Sequence, residues 1–597
     1  MALNWRSRFA ESVGSRHPSL LDGDADNFDL SLDRLTLLSG SEIKFPTVGV
    51  TVLVGANNVG KSTLLREVAA EISRHPGHPA TPRLILQDLE LKRSGEPRDA
   101  IAWIGDHSTF VVSPQQAAFH AARGATLDPG TIDFIWQQHG VAMGEIANVV
   151  LHYSHAQDRF SFGGSAEMRA SISDPPTDPV HHLQDSRALL EDLSGITAGA
   201  FGQRLVLDSL GRTIQLRVGS IDVEPPPIDN ISSEYRDAMA ALPVLDQQGD
   251  GMRGFMGQLL PLVTSSFKII ALDEPEAFLH PPQAHGLGQE LGRFAVDKQV
   301  QVIIATHDRN LLAGLLDSGV DVSVVRLQRE DTSTIARQLD AEKVTELWRD
   351  PVLKYTNVLD GLFHHAVVLA EAEADCAYYG AALDETPETS SGRDLLFVPT
   401  GGKDGMPRVA GSLVAVGVPV VASVDLDLLS DQSKVKRLVE AVGGNWTGEM
   451  SAHWRQATND VRARREVATV GDVRVAVDSV LRGHEIEPFT PELQAQVKAQ
   501  IRTQGSRWQP VKDYGVAAFT GSARAALDAL LESLDESGVV LVKPGELERL
   551  APEVQVSKGP EWLPAALLAR SQANAETQAH VSRIRQAAKR AQVSRTS

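Results

Sequence analysis

The 597-residue chain contains a single cysteine, Cys376. That excludes a disulfide framework and a cysteine-built zinc site, and it fits a reducing cytoplasm. Long apolar runs are missing as well. The longest uncharged one, 413–424, is too short to span a bilayer and runs into Asp425. The first 21 residues scatter Arg6, Arg8, Glu11, Arg16 and His17 among apolar positions, so neither a secretory signal nor a membrane role is expected. Basic residues are outnumbered, 57 Lys and Arg against 77 Asp and Glu, for a net charge of -20. A surface that coats nucleic acid indiscriminately is thereby excluded, although a local basic groove is not. Internal repeats, low-complexity tracts and long heptad arrays are absent too. What remains is an ordinary soluble composition, 42% hydrophobic and 22% charged, with length for three to five units.

The strongest pattern is Gly55-Ala56-Asn57-Asn58-Val59-Gly60-Lys61-Ser62-Thr63. An apolar run, 48–54, precedes it, and Leu64, Leu65, Val68, Ala69 and Ile72 follow at helical spacing. Strand, Gly-rich turn and helix in that order make a Walker A loop. Its backbone N–H groups converge on one small volume at a helix N-terminus, which favours a polyphosphate. Gly55, Asn57, Asn58, Gly60 and Thr63 are the expected loop contacts to ATP. Lys61 is expected at the β and γ phosphates, and Ser62 at Mg²⁺.

A second apolar run ends in Asp273-Glu274-Pro275-Glu276, the form of a Walker B strand. Asp273 is expected beside Mg²⁺ and Glu274 at the attacking water. A third buried run, 301–305, delivers His307 to the γ phosphate. Upstream, Gly249 and Gly251 open a helical run containing Phe255, Leu259, Leu260 and Leu262.

Over about residues 30–330 these motifs resemble the ABC-type ATPase heads, in which a Gly-containing signature at a helix start caps the γ phosphate held by a partner subunit. The wording Asp273-Glu274-Pro275-Glu276-Ala277-Phe278-Leu279-His280-Pro281 resembles the OLD (overcoming lysogenization defect) family. The resemblance implies a homodimer or higher assembly. The weakly patterned middle section is expected to be a helical insertion, roughly 115–240.

In the second half, three apolar strands, interspersed with helices, end near Glu371 and Asp375, near Gly401-Gly402-Lys403, and at Asp425-Leu426-Asp427. Acids at the C-terminal ends of parallel strands stand where open α/β sheets place their sites. Glu371, Asp375, Asp425 and Asp427 together favour two Mg²⁺ or Mn²⁺ ions, which could activate water for phosphodiester cleavage. This constellation resembles the TOPRIM domain, from which it departs at Ala372, where that family has Gly. By the same resemblance, Glu548 completes the metal shell and Lys558 stabilises developing phosphate charge.

The sequence therefore predicts an α/β chain, an ABC-type P-loop ATPase head over 1–345, a connector over 346–364 and a TOPRIM-like domain over 365–597. A helical insertion at 430–535, with Trp446, Trp454 and the arginines at 455, 462, 464 and 465, is expected to grip substrate. A basic helix is expected over 569–597. The expected activity is an ATP-controlled endonuclease cutting DNA in anti-phage defence, with a helicase or another defence protein as a possible partner. Two alternatives stand beside it: cleavage of RNA such as tRNA, and an SMC-like ATP-switched binding scaffold.

Overall fold

The computed structural model describes residues 5–593 apart from 114–116, 122–124, 156, 163, 172–173, 175, 225, 228–229, 331, 350–356, 386–394, 416, 464–468, 485, 487, 504–506 and 557–558. Two compact units are present, Met1–Pro351 and Val352–Ser597, where length alone suggested more. Of the connector expected at 346–364, residues 350–356 lie outside the described residues.

The first unit contains, in chain order, β1 (Asp29–Leu37), β2 (Glu42–Lys44), β3 (Gly49–Val54), α1 (Lys61–Ser73), β4 (Leu86–Ser94), β5 (Leu151–Ser154), α2 (Asp250–Thr264), β6 (Ile269–Asp273), α3 (Pro281–Asp297), β7 (Gln301–Ala305), β8 (Val322–Glu330) and β9 (Ser333–Leu339). The order in the main sheet is β9-β8-β3-β7-β6-β5. Every pairing is parallel except the edge pair β8–β9. β3 and β7 are buried at every position, as expected of strands covered on both faces. A smaller antiparallel sheet, β2-β1-β4, lies beside it. Gln301 joins the two layers: its amide oxygen accepts from Leu32 N at 2.9 Å, and its amide nitrogen donates to Leu32 O at 2.8 Å and Pro46 O at 2.7 Å.

The expected helical arm at 115–240 is not what forms. β5 is an edge strand of the main sheet, in parallel register with β6. Two small antiparallel sheets, one of them Leu205–Asp208 with Thr213–Val218 and Ser165–Glu167, alternate with short helices. Short alternating runs such as Thr213–Val218 bury every second residue, a period that the surrounding Pro and Gly clusters obscure in the sequence.

The second unit contains β10 (Ala366–Ala370), α4 (Glu373–Asp384), β11 (Leu395–Pro399), α5 (Met406–Ala415), β12 (Val420–Asp425), α6 (Gly448–Ala463), α7 (Gly521–Glu536), β13 (Val539–Val542) and α8 (Ala575–Val593). The sheet order is β11-β10-β12-β13, parallel throughout. Between β12 and β13 the described residues form helices and turns and no strand. Tyr378 and Tyr379 are buried on the inner face of α4. Trp454 is also buried, and its indole N–H donates to Leu429 O at 3.0 Å. It belongs to the core, which corrects the expectation that it grips substrate: an aromatic in a helix reads alike in sequence whether it faces inward or outward. Arg462 lies over its ring at 4.2 Å, whereas residues 464 and 465 fall outside the described residues. Among the described residues no helix is long and apolar enough to cross a membrane.

Candidate functional site

The phosphate loop takes its shape from three residues with positive φ: Gly55 at 140°, Asn58 at 64° and Gly60 at 102°. A side chain at Gly55 would place its Cβ 2.3 Å from Leu327 O, so the neighbouring strand requires glycine there. Gly60 caps α1, which starts at Lys61 and turns its free N–H groups toward the loop. Asn57, Asn58 and Ser62 are exposed, and Thr63 is half-buried. The Lys61 side chain folds into the loop, where its ammonium donates to Gly55 O at 2.8 Å and Ala56 O at 3.1 Å. Burial lowers its pKa, against the pull of Glu274, Asp273 and Glu276.

β7 lies between β3 and β6, so His307, just past its end, stands between the phosphate loop and the acids of β6. Ser62 Oγ donates to Asp273 Oδ1 at 2.9 Å. A hydroxyl and a carboxylate joined at the mouth of a phosphate loop are oxygen donors suited to Mg²⁺. Burial raises the Asp273 pKa; the Ser62 hydrogen bond works against it. Glu274 sits at φ 48°. His307 Nδ1 lies 3.3 Å from Glu274 Oε1 and 3.5 Å from Glu276 Oε1. Glu276, read from sequence only as part of the motif, is buried and accepts from Thr306 Oγ1 at 2.6 Å and His307 N at 3.2 Å. Burial raises its pKa. Gly249 is the N-cap of α2, and a Cβ on Gly251 would meet Phe278 O at 2.8 Å. The helix opened by these glycines therefore lies against the turn that follows the Walker B acids.

In the second unit, Glu371 follows β10, Asp425 ends β12, and the two strands are neighbours. Ala372 has φ -136° and ψ 167°, an extended backbone open to any residue, so the departure from glycine brings no strain. Glu371 Oε1 is buried without a hydrogen-bond partner among the described residues. Asp425 Oδ1 accepts from Leu547 N at 3.2 Å, tying the strand end to the short turn Leu547–Leu550 that carries Glu548.

Two of the expected metal ligands are otherwise engaged. Asp375 Oδ2 accepts from Glu371 N and Ala372 N, both at 3.1 Å, and so supplies the cap that Ala372 has no side-chain oxygen to provide. Asp427 is held between lysines: Lys403 Nζ lies 2.5 Å from Oδ1, and Lys512 Nζ lies 3.0 Å from Oδ2 and 3.1 Å from Glu546 Oε1. Burial opposes ionisation of Asp427, yet the two ammonium groups outweigh it and lower its pKa. Among the described residues no group of three or more His, Cys, Asp or Glu is arranged to hold a metal ion, which corrects the four-carboxylate cluster read from the sequence. Spacing brings the acids to one sheet edge; it carries no information about the distant Lys512 that claims one of them. Lys558 lies outside the described residues. Of the terminal basic residues, Arg583 is committed to Asp535 at 2.7 Å and to Leu541 O at 2.8 Å, and Arg570 to Glu385 at 3.1 Å.

Residues 168–313, which include α2, β6 and β7, match the family described as "AAA domain, putative AbiEii toxin, Type IV TA system". Among solved structures, the chain is similar to an SmcHead bound to the C-winged helix domain of ScpA, at 13% identity over 54% of this chain and 99% of that one, with a TM-score of 0.32. It is similar to the SMC head domain from Thermotoga maritima, at 12% identity over 53% and 99%, with a TM-score of 0.27. It is also similar to cbiO1 from Clostridium perfringens, part of the ABC transporter complex cbiONQ, at 14% identity over 56% and 95%, with a TM-score of 0.26. No curated protein matches the chain in sequence. The family match, together with the phosphate loop and its parallel sheet, supports a P-loop ATPase of α/β class, with ATP as the implied nucleotide, for the first unit.

Proposed function

We propose that the chain is an ATP-controlled, divalent-metal-dependent endonuclease of OLD type that cuts DNA, with a TOPRIM-like second unit performing the cleavage. The observation that supports cleavage is the delivery of Glu371 and Asp425 from neighbouring parallel strands to one sheet edge, with Glu371 Oε1 buried and without a hydrogen-bond partner among the described residues. A buried carboxylate oxygen without a donor is costly unless a cation or a proton meets it. In this reading Glu371 and Asp425 would hold a divalent ion, and Asp427 would join them once Lys403 or Lys512 turns away from it. Mg²⁺ or Mn²⁺ at this edge would supply charge to the scissile phosphate and acidify water. Lys403 and Lys512 are the chain's own cations beside that position and suit a phosphodiester oxygen. In the first unit, Ser62 and Asp273 would hold Mg²⁺ with ATP, Glu274 would orient water, and His307 would sense the γ phosphate. Gly249 and Gly251 would cap the nucleotide of a second copy in a homodimer or higher assembly.

The test is plasmid DNA incubated with the full chain and Mg²⁺ or Mn²⁺, with and without ATP. Cleavage that disappears in Asp425→Ala supports the reading, and cleavage that persists undiminished in that variant removes it. Running labelled tRNA in parallel decides between DNA and RNA. The resemblance to the OLD family implies a setting in defence against phage, in which a helicase or other partner would act alongside.

A second reading is favoured by one observation: both oxygens of Asp427 are in ion pairs with lysine. In that reading the second unit binds nucleic acid under ATP control without cutting it. Nucleic-acid binding that needs no divalent metal, with no cleavage of any substrate, is the outcome it predicts.

A further inference from the structure

Arg159 is fully buried although it carries a charge, and no sequence motif marks it. Its guanidinium donates to three consecutive backbone carbonyls at the end of the Walker B strand: Asp273 O at 2.7 Å, Glu274 O, and Pro275 O at 3.3 Å. These carbonyls lie where the strand ladder stops, and buried acceptors there need donors from elsewhere. Glu274 has φ 48°, a backbone conformation that a residue with a side chain keeps only where its surroundings impose it. One planar five-donor group spanning three carbonyls imposes it here.

The other side of Arg159 touches α2. A Cβ on Gly257 would lie 2.0 Å from Arg159 O, so the helix and the short turn Asp158–Phe162 meet backbone to backbone. The next residue, Phe160, packs on Phe278 with ring centroids 5.7 Å apart, and the Arg253 guanidinium of α2 lies 4.9 Å from the Phe160 ring centroid. A single residue therefore joins the helix that starts at Gly249 to the backbone of Glu274.

We propose that Arg159 is a positioning residue for ATP hydrolysis, which holds Glu274 in its reactive placement and passes displacements of α2 to it. The residue sets the geometry of the water-orienting carboxylate and makes no contact with nucleotide. This rests on the ATPase reading of the first unit.

Arg159→Ala, Arg159→Lys and Gly257→Ala in the full chain provide the test, with ATP affinity measured by a fluorescent ATP analogue alongside kcat, KM and Tm. Displacing a catalytic group by about an ångström costs on the order of 100-fold in rate. Arg159→Ala should therefore lose about that factor in kcat with unchanged ATP affinity. Guanidinium ion at millimolar concentration should restore part of the loss, and Arg159→Lys should fall between the two. Gly257→Ala, which pushes the Arg159 backbone without touching its side chain, should also lower kcat and leave affinity alone. Should Arg159→Ala fail to fold, the other two variants decide. Wild-type kcat in the folded variants overturns the proposal, and so does a parallel fall of kcat, ATP affinity and Tm, which marks a structural role only. Absence of ATP hydrolysis by the wild-type chain overturns the ATPase reading itself, and this proposal with it.

Discussion

Ser62 Oγ donates to Asp273 Oδ1 at 2.9 Å, joining residues 211 positions apart. The phosphate loop and the Walker B strand, separated in the sheet by β7, meet in this bond. The expected consequence is mutual dependence on Mg²⁺. Asp273→Asn keeps the hydrogen bond and removes the charge, and should reduce Mg²⁺-dependent ATP hydrolysis on the order of 100-fold. Nucleotide binding measured without metal should be retained. Equal losses with and without Mg²⁺ would place the effect in the loop instead.

Glu274 and Glu276 differ in a way that can be measured. Glu274 is half-exposed beside His307, whereas Glu276 is buried beneath it and accepts from Thr306 and the His307 backbone. Glu274→Gln should lower single-turnover hydrolysis by a factor of about 10² to 10⁴, the range for a lost general base, with ATP still bound. Glu276→Ala, in contrast, should lower Tm as well, since Thr306 and the His307 backbone N–H lose a buried acceptor.

His580 provides a pH-dependent test of the second unit. It is fully buried, its Nε2 lies 3.0 Å from Ser423 Oγ, and its ring lies 5.2 Å from that of Tyr379. Burial, followed by Arg583 and Lys543, lowers its pKa to about 3. An unfolded histidine titrates near 6.5, so between about pH 6.5 and 3 the unfolded chain binds a proton that the folded one excludes. Stability from this residue is complete above about pH 6.5 and falls as pH drops, by about 1.4 kcal/mol per pH unit. Urea midpoints across that window should show the slope, and His580→Gln should flatten it.

Trp454 separates a core residue from a substrate contact. Trp454→Ala removes a buried indole together with its bond to Leu429 O and should cost about 3–5 kcal/mol of stability. Chemical denaturation gives the loss directly. A fall in nucleic-acid affinity at unchanged stability would be the signature of a surface contact instead.

Legibility in the sequence followed the range of the signal. The phosphate loop is local: strand, turn and helix succeed one another within about two dozen residues, and Gly60 and Lys61 occupy the helix start that such a loop requires. Apolar runs ending in acid or histidine likewise marked β6, β7, β10 and β12. Residues 115–240 carry a helical expectation in sequence because their strands are short and broken by Pro and Gly, and β5 counts as core only once β6 lies beside it. Arg159, Lys512 and Glu276 carry no periodic signal, since each acts through a partner distant in sequence or on the neighbouring strand.

Glu371, Asp375, Asp425 and Asp427 mark the division most clearly. Alternation of buried strands and helices, a property of the sequence alone, determines that these acids follow parallel strands. Their partners are a tertiary matter: Asp375 turns to backbone N–H groups, Asp427 to Lys403 and Lys512, and Glu371 keeps a buried oxygen without a hydrogen-bond partner among the described residues. The physical reason is that strand and helix formation respond to spacing along the chain, whereas the state of a carboxylate depends on which charges the fold brings within a few ångströms of it.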